Sequence, residues 1–180
     1  MATNLVGYMG SAYKRLNPKL NGKQLHHGMD RNSANLGDLE ASVLTIDREL
    51  DEDGRPLPQG TVVYRRAGMV ADYYANGQQP PAEFSQAAYL SSSRNADQYS
   101  YGKRKKEEQN QVFFTITCAA LGAGRDVAHL RGNAAEAEVL FHRNAKFRID
   151  SAVVDKNGNA HWTMTEVDSD AGYVWGAHKT

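Results

Sequence analysis

Thr61-Val62-Val63-Tyr64-Arg65 marks the point where the chain changes its period. Four of its five residues are β-branched or aromatic, and the run follows two prolines and two glycines between Asp51 and Gly60. Such a run after a turn-rich connection predicts a strand. Upstream the spacing is helical. Leu5, Tyr8, Tyr13 and Leu16 fall on one helical side, interrupted at Gly10-Ser11, where Ser11 is placed to cap a second short helix that Pro18 and Gly22 end. His26 to Asn35 is polar and reads as a loop. Leu36, Leu39, Val43, Leu44 and Leu50 then recur at helical spacing, with Ile46 extending the stripe.

Downstream of Arg65 the signals are those of strands. Ala88 to Ser91 is a short candidate. Gln111 to Cys118 alternates, with Val112, Phe114 and Ile116 on one side. Glu138 to Phe141 and Lys146 to Ile149 are two more. Asn157-Gly158 separates Ala152-Val153-Val154 from His161-Trp162-Thr163-Met164, a strong hairpin signal. Helices first and strands after predict an α+β fold rather than alternating βαβ units. The 180 residues fit a single domain, with a helical part over 1–50 and a β core over 61–167.

The composition is that of a globular protein, 41% hydrophobic and 23% charged. Lys+Arg and Asp+Glu both number 21, and this zero balance argues against a nucleic-acid coat or a polybasic membrane anchor. No run reaches the length of a membrane span. Met1 to Asn4 carries no basic start leading into an apolar segment, so no classical signal peptide is expected. Cys118 is the single cysteine and ends an apolar run, which predicts a buried small hydrophobe. The histidines lack zinc-ligand spacing. Gly122-Ala123-Gly124 lacks the third glycine of a dinucleotide fingerprint and reads as a loop. Trp162 and Trp175 read as packing residues.

Three segments stand out, each at or beside a predicted strand: Tyr64-Arg65-Arg66, Tyr89-Leu90-Ser91-Ser92-Ser93, and Glu136-Ala137-Glu138 running into Val139-Leu140-Phe141. Taken singly, each has an ordinary explanation. These are a solvated strand-end arginine, a serine turn or cap, and two glutamates on one exposed strand face. Together and in this order they resemble the arginine–serine–glutamate class of mono-ADP-ribosyltransferase toxins. That signature has an aromatic-Arg on the first core strand, then aromatic-x-Ser-Thr-Ser, then Glu-x-Glu followed by apolar residues. Tyr8-Met9-Gly10-Ser11-Ala12-Tyr13-Lys14-Arg15-Leu16-Asn17 is similar to the family's helical Tyr-x-Gly-Ser-x-Tyr-Lys-x-Ile-Asn segment. The resemblance spans about Leu5 to Ile149. Tyr-Arg-Arg is shared with the enzymatic components of clostridial binary toxins.

The resemblance implies a split antiparallel β core with N-terminal helices, and NAD in a cleft between two small sheets. It implies that Glu138 stabilises the positive ribose carbon formed when NAD is cleaved, as carboxylates do in glycoside cleavage. Arg65 would hold the NAD diphosphate with its forked donors. Ser91 would orient Glu138 or the ribose. Glu136 would engage the acceptor, because glutamate at this position goes with arginine acceptors in the family. A guanidinium is always protonated in water and needs a carboxylate beside it to become nucleophilic. Arg66 stands where many relatives have glycine, beside the nicotinamide. Tyr99 or Tyr101 would stack on the nicotinamide ring, and Arg104 would reach a phosphate. No metal is required.

His129 to Ala135 would be the target-recognition turn. Asn133-Ala134-Ala135 stands where binary toxins place an aromatic, which points away from actin as the target. The expected partners are a target protein bearing an acceptor arginine and a cognate immunity protein, with no membrane and no nucleic acid. The expected setting is a secreted or delivered bacterial effector acting in a target-cell cytoplasm. Three alternatives for the acceptor stay open: water, as in an NAD glycohydrolase, a residue other than arginine, or a nucleic acid. A non-catalytic module that kept the fold is a fourth reading.

Overall fold

The structure is a computed structural model, and it describes residues 2–20, 36–69, 82–85, 87–99, 111–120, 122–131 and 134–167. Tyr101, Arg104 and Trp175 lie outside the described residues, as does the polar segment around His26.

The N-terminal part is one continuous helical run. It begins as α1 (Thr3–Gly7), widens into a π-helical segment over Tyr8–Ala12 and continues as α2 (Tyr13–Leu20). The expected break at Ser11 is therefore absent. A π turn takes up one residue more than an α turn, so the chain passes Gly10-Ser11 without a new cap. Pro18 also lies inside α2 rather than at its end. One missing N–H in the last turn does not stop the helix.

The long helix α3 spans Leu36–Asp53, as its stripe predicts. Val43, Ile46, Asp47 and Leu50 face inward, while Leu44, one position off that face, is exposed. The first and third helices are tied by the buried Glu49. Its carboxylate accepts from the Leu5 N–H at 2.7 Å and from Asn4 Nδ2 at 3.1 Å.

Nine strands follow among the described residues: β1 (Arg55–Pro56), β2 (Val62–Met69), β3 (Glu83–Ser85), β4 (Leu90–Ser93), β5 (Gln111–Thr117), β6 (Gly124–Asp126), β7 (Glu138–Phe141), β8 (Lys146–Val154) and β9 (Ala160–Glu166). A short helix α4 (Ala96–Tyr99) follows β4. The strand order is β1-β6-β7-β4-β2-β5-β9-β8-β3. Pairing is antiparallel except between β5 and β9, which run parallel from Val112↔Ala160 to Thr117↔Thr165.

The split in the core lies between β4 and β2. These two strands share one aligned pair, Tyr64↔Ser93, whereas β2 and β5 pair along nearly their whole length. A four-strand body and a five-strand body thus diverge from a single point of contact.

Three strands had no sequence signal. The two-residue β1 sits inside the turn-rich connection. The three-residue β3 is too short for alternation to register. The glycine-rich stretch read as a loop contains β6, whose Gly124 lies against Leu57 and the Phe141 ring. In the other direction, Lys146–Ile149 and Ala152–Val154 are one strand, with a bulge between Ile149 and Ser151. A bulge shifts the alternation by one residue, which makes one strand look like two. The hairpin from β8 to β9 forms at the expected place. Its loop is five residues long, Asp155 to Asn159, with Gly158 at φ 79° and the Asp155 carboxylate accepting from two backbone N–H groups.

Alternation along β7 sends side chains to two cores. Val139 and Phe141 join Val63, Phe114, Ile116, Phe147, Trp162 and Met164 within the sheet side. Leu140 points the other way, into a cluster with Leu5, Tyr8, Leu16, Val43, Ile46, Leu50 and Tyr89 that seats the helices. Cys118 is buried and its thiol is pushed up to about 12 by that burial, which makes it an inert packing residue.

At the helix–sheet seam lies a fully buried Asp47. It accepts from the Tyr89 hydroxyl at 2.6 Å and is bridged in two places by the Arg143 guanidinium. Removing one partner of such a pair strands the other in a poor solvent. Asp47→Ala should therefore cost about 3–5 kcal/mol of stability. A thermal melt should show a midpoint lower by roughly 10 °C, given the chain length.

Candidate active site

A cleft of about 490 Å³ opens where the two bodies diverge. One wall is β2, with Tyr64, Arg65 and Arg66. The second is the serine triplet of β4 with the Glu136 to Glu138 segment. The helical run supplies the third wall, through Tyr8, Met9, Gly10, Tyr13 and Asn17.

The contacts between these walls are specific. Arg65 Nη1 donates to the Ser91 carbonyl at 2.7 Å, and Ser91 Oγ donates to Glu138 Oε1 at 3.0 Å. Arg65, Ser91 and Glu138, which are 26 and 47 residues apart in sequence, are therefore joined in one chain of hydrogen bonds. The other two serines fasten the same strand pair. Ser92 Oγ donates to the Val139 carbonyl at 3.0 Å, and Ser93 Oγ donates to the Glu136 carbonyl at 2.6 Å. Both are buried.

Glu136 and Glu138 share the cleft, but not as alternate residues of one strand. Glu136 ends a 3₁₀ turn (Ala134–Glu136), and β7 begins only at Glu138. Ala137 between them sits at φ 43°, in the left-handed region. The turn is pinned from outside by Arg94, whose N–H donates to the Ala137 carbonyl at 3.0 Å, and by Asn95, whose Nδ2 donates to Ala135 O at 3.3 Å. The strand-face expectation for the two glutamates is thus corrected. A left-handed residue, and not a β pleat, turns both toward the same space.

Burial raises Glu138 above the ordinary glutamate range. The Ser91 hydrogen bond and the positive charge of Arg131 oppose that rise, and the Glu136 charge adds to it. Tyr8, which donates to Asn17 Oδ1 at 2.9 Å, is also raised by burial.

Of the residues expected at the site, Arg65, Arg66, Ser91, Glu136 and Glu138 come together in this cleft. Tyr101 and Arg104 lie outside the described residues, and nothing is described of the Tyr99 side chain. Arg131 lines the cleft as well and had no individual signal in the sequence. A charged residue inside the turn ahead of Glu136 was the one available hint. No group of His, Cys, Asp and Glu among the described residues is arranged to hold a metal ion, and none of the described helices is long and apolar enough to cross a membrane.

The model of the ADP-ribosyltransferase exoenzyme family matches residues 2–169. The chain belongs to that family. It is an NAD-dependent ADP-ribosyltransferase, and NAD is its substrate. A comparison with curated protein sequences gives no match. Solved structures share the fold at low identity. The Vis toxin, an ADP-ribosyltransferase from Vibrio splendidus, superposes with a TM-score of 0.66 at 20% identity, covering 94% of this chain and 74% of that one. Vis has also been solved in complex with agmatine, with a TM-score of 0.68 at 21% identity, covering 94% and 75%. The ADP-ribosylating toxin BECa of C. perfringens, solved with NADH, gives 0.65 at 15% identity over 91% of this chain and 42% of that one. Exoenzyme S from Pseudomonas aeruginosa, solved with human 14-3-3 protein beta and carba-NAD, gives 0.61 at 19% identity over 98% and 78%.

The transferase holds two non-glycine residues in left-handed backbone among those described, Asn144 and, at the site, Ala137. A left-handed alanine is disfavoured by roughly 1 kcal/mol relative to glycine. Ala137→Gly should keep the fold and raise stability in denaturant by about 0.5–1 kcal/mol, whereas Ala137→Val should lower it by at least as much.

Proposed function

We propose that the transferase modifies arginine, cleaving NAD and passing ADP-ribose to a guanidinium of a target protein, with residues 1–180 acting as one catalytic domain. The observation that carries this reading is the hydrogen-bonded line from Arg65 through Ser91 to Glu138, with Glu136 two positions earlier in the same cleft. Agmatine, the molecule held by Vis in its complex, is a guanidinium compound, and this too favours such an acceptor.

Each residue has a role in this reading. Arg65, with Arg66 beside it, receives the diphosphate, a task suited to forked cationic donors. Glu138 faces the ribose carbon as the nicotinamide bond breaks and stabilises the positive charge that develops there. Ser91 fixes the Glu138 carboxylate by its hydroxyl, which restricts the geometry of that group. Glu136 takes the proton that the acceptor guanidinium releases as its nitrogen bonds to the ribose carbon. Nicotinamide leaves with the bonding electrons of the broken glycosidic bond. The same reading makes the chain an effector domain delivered into a target cell, with a cognate immunity protein among its partners.

Agmatine and NAD incubated with the purified chain test this directly. ADP-ribosylated agmatine, detected by mass spectrometry, is the expected product, while free ADP-ribose alone would assign the chain as a glycohydrolase. Glu138→Ala should lower both transfer and NAD hydrolysis by about 10²-fold or more, the scale for losing one electrostatic stabiliser. Glu136→Gln should impair transfer to agmatine and spare hydrolysis. Equal loss of both activities would detach Glu136 from the acceptor. Because Glu138 acts ionised and burial raises it, the rate should fall on acidification from a pH above the ordinary glutamate range.

A further inference from the structure

The cleft holds a third guanidinium that the proposed roles do not use. Arg131 follows the 3₁₀ turn Ala128–Leu130 and precedes the turn that ends in Glu136. It lines the cleft together with Glu136 and Glu138. Its Nη1 donates to the carbonyl of Met9 at 3.1 Å. That carbonyl belongs to the π-helical segment, across the cleft and 122 residues away. Among the described residues, the Arg131 guanidinium pairs with no carboxylate, so its charge is spent on none. Neighbouring arginines are engaged elsewhere. Arg94 bridges Asp126 at 2.9 Å, and Arg125 reaches Asp51 and the Gly122 and Gly124 carbonyls.

We propose that Arg131 is a positioning residue for ADP-ribosyl transfer. It ties the chain ahead of the Glu136 turn to the π-helical backbone and supplies a counter-charge for the partly buried Glu138 carboxylate in the same cleft. This inference rests on the roles assigned above to Glu136 and Glu138. Two carboxylates in one cleft repel each other, and the buried one pays the larger cost of staying ionised. A guanidinium held at a fixed point between helix and turn offsets that repulsion without neutralising either acid by a direct bridge.

The charged and titratable groups around Glu138 set the comparison. From β2 come Tyr64, Arg65 and Arg66. The helical run presents Tyr8 and Tyr13, and the turn presents Arg131 and Glu136. Of the arginines, Arg65 is bonded to the Ser91 carbonyl, and Arg66 and Arg131 are both exposed to solvent.

Arg131→Gln and Arg131→Lys separate the possibilities. A carboxyl carbon NMR titration of the free protein reads Glu138 without any NAD. The titration should move upward in the Gln variant and stay near wild type in the Lys variant. In NAD hydrolysis the acid limb should move the same way. The ratio of kcat at about pH 6 to kcat at about pH 8 should fall by about threefold in the Gln variant, the size of an exposed charge pair. KM for NAD should stay within about twofold, because no diphosphate contact is lost. Raising salt should shift the wild-type limb upward relative to that of the Gln variant, since screening weakens the Arg131 charge that the variant lacks while both proteins keep Glu136. An unmoved Glu138 titration in the Gln variant overturns the proposal, as does a loss confined to KM, which would make Arg131 a substrate-binding residue. Wild-type protein that does not cleave NAD would sink the proposed function instead, while the titration would still report on Arg131.

Discussion

Three consecutive hydroxyls hold the site together. Each serine of β4 reaches across to the Glu136–Val139 segment: Ser91 to the Glu138 carboxylate, Ser92 to the Val139 carbonyl, Ser93 to the Glu136 carbonyl. Alternation would send successive side chains to opposite faces, so a pure strand could not point all three at one partner. The partner's own shape resolves this. The chain before β7 is a 3₁₀ turn with a left-handed Ala137, which brings the Glu136 carbonyl to Ser93, while Ser92 meets a carbonyl of β7 itself and Ser91 meets a side chain. The glutamates are thereby fixed relative to β4, and β4 is fixed to the Arg65 strand through Tyr64↔Ser93.

That single pair has a mechanical consequence. A sheet continuous across β4 and β2 would close the space in which the cleft lies. Full pairing of β2 with β5 on one side and of β4 with β7 on the other makes each body stiff. The gap between them is bridged by side chains, Arg65 above all, and by the helices packed over Leu140 and Tyr89. Asp47 then matters at a distance. It couples α3 to Tyr89, the residue just before β4, and to Arg143, which follows β7.

The sequence revealed the long helix, the first core strand, the alternating β5 and the closing hairpin, because each is long or carries a turn signal. Three motifs in order also pointed to Arg65, Arg66, Ser91, Glu136 and Glu138, five of the residues that line the cleft. What it hid has physical causes. A π-helical segment has the same residues as two helices with a break, and only the hydrogen-bond span tells them apart. Strands of two or three residues, such as β1 and β3, show no period. The bulge in β8 breaks the alternation that would have joined its halves. Arg131 was invisible for a different reason. Its importance lies in the Met9 carbonyl opposite it, and a backbone atom leaves no mark in composition or spacing.

Charge within the cleft is segregated, although the chain as a whole balances to zero. Arg65 and Arg66 line it from β2, and Arg131, Glu136 and Glu138 line it from the segment that leads into β7. A diphosphate is drawn to the β2 wall and repelled by the carboxylates, which favours one orientation. In the proposed function that orientation sets the ribose carbon against Glu138 and leaves Glu136 facing outward to the acceptor. On the role proposed for Arg131, its cation acts beyond the mutual repulsion of the acids. An acceptor guanidinium approaching Glu136 would otherwise also pair with Glu138 and quench the carboxylate that stabilises the ribose cation. A positive charge at Arg131 would disfavour that second pairing. Preference for one glutamate over the other would then follow from where a positive charge is placed, together with the burial and the Ser91 bond that already set Glu138 apart.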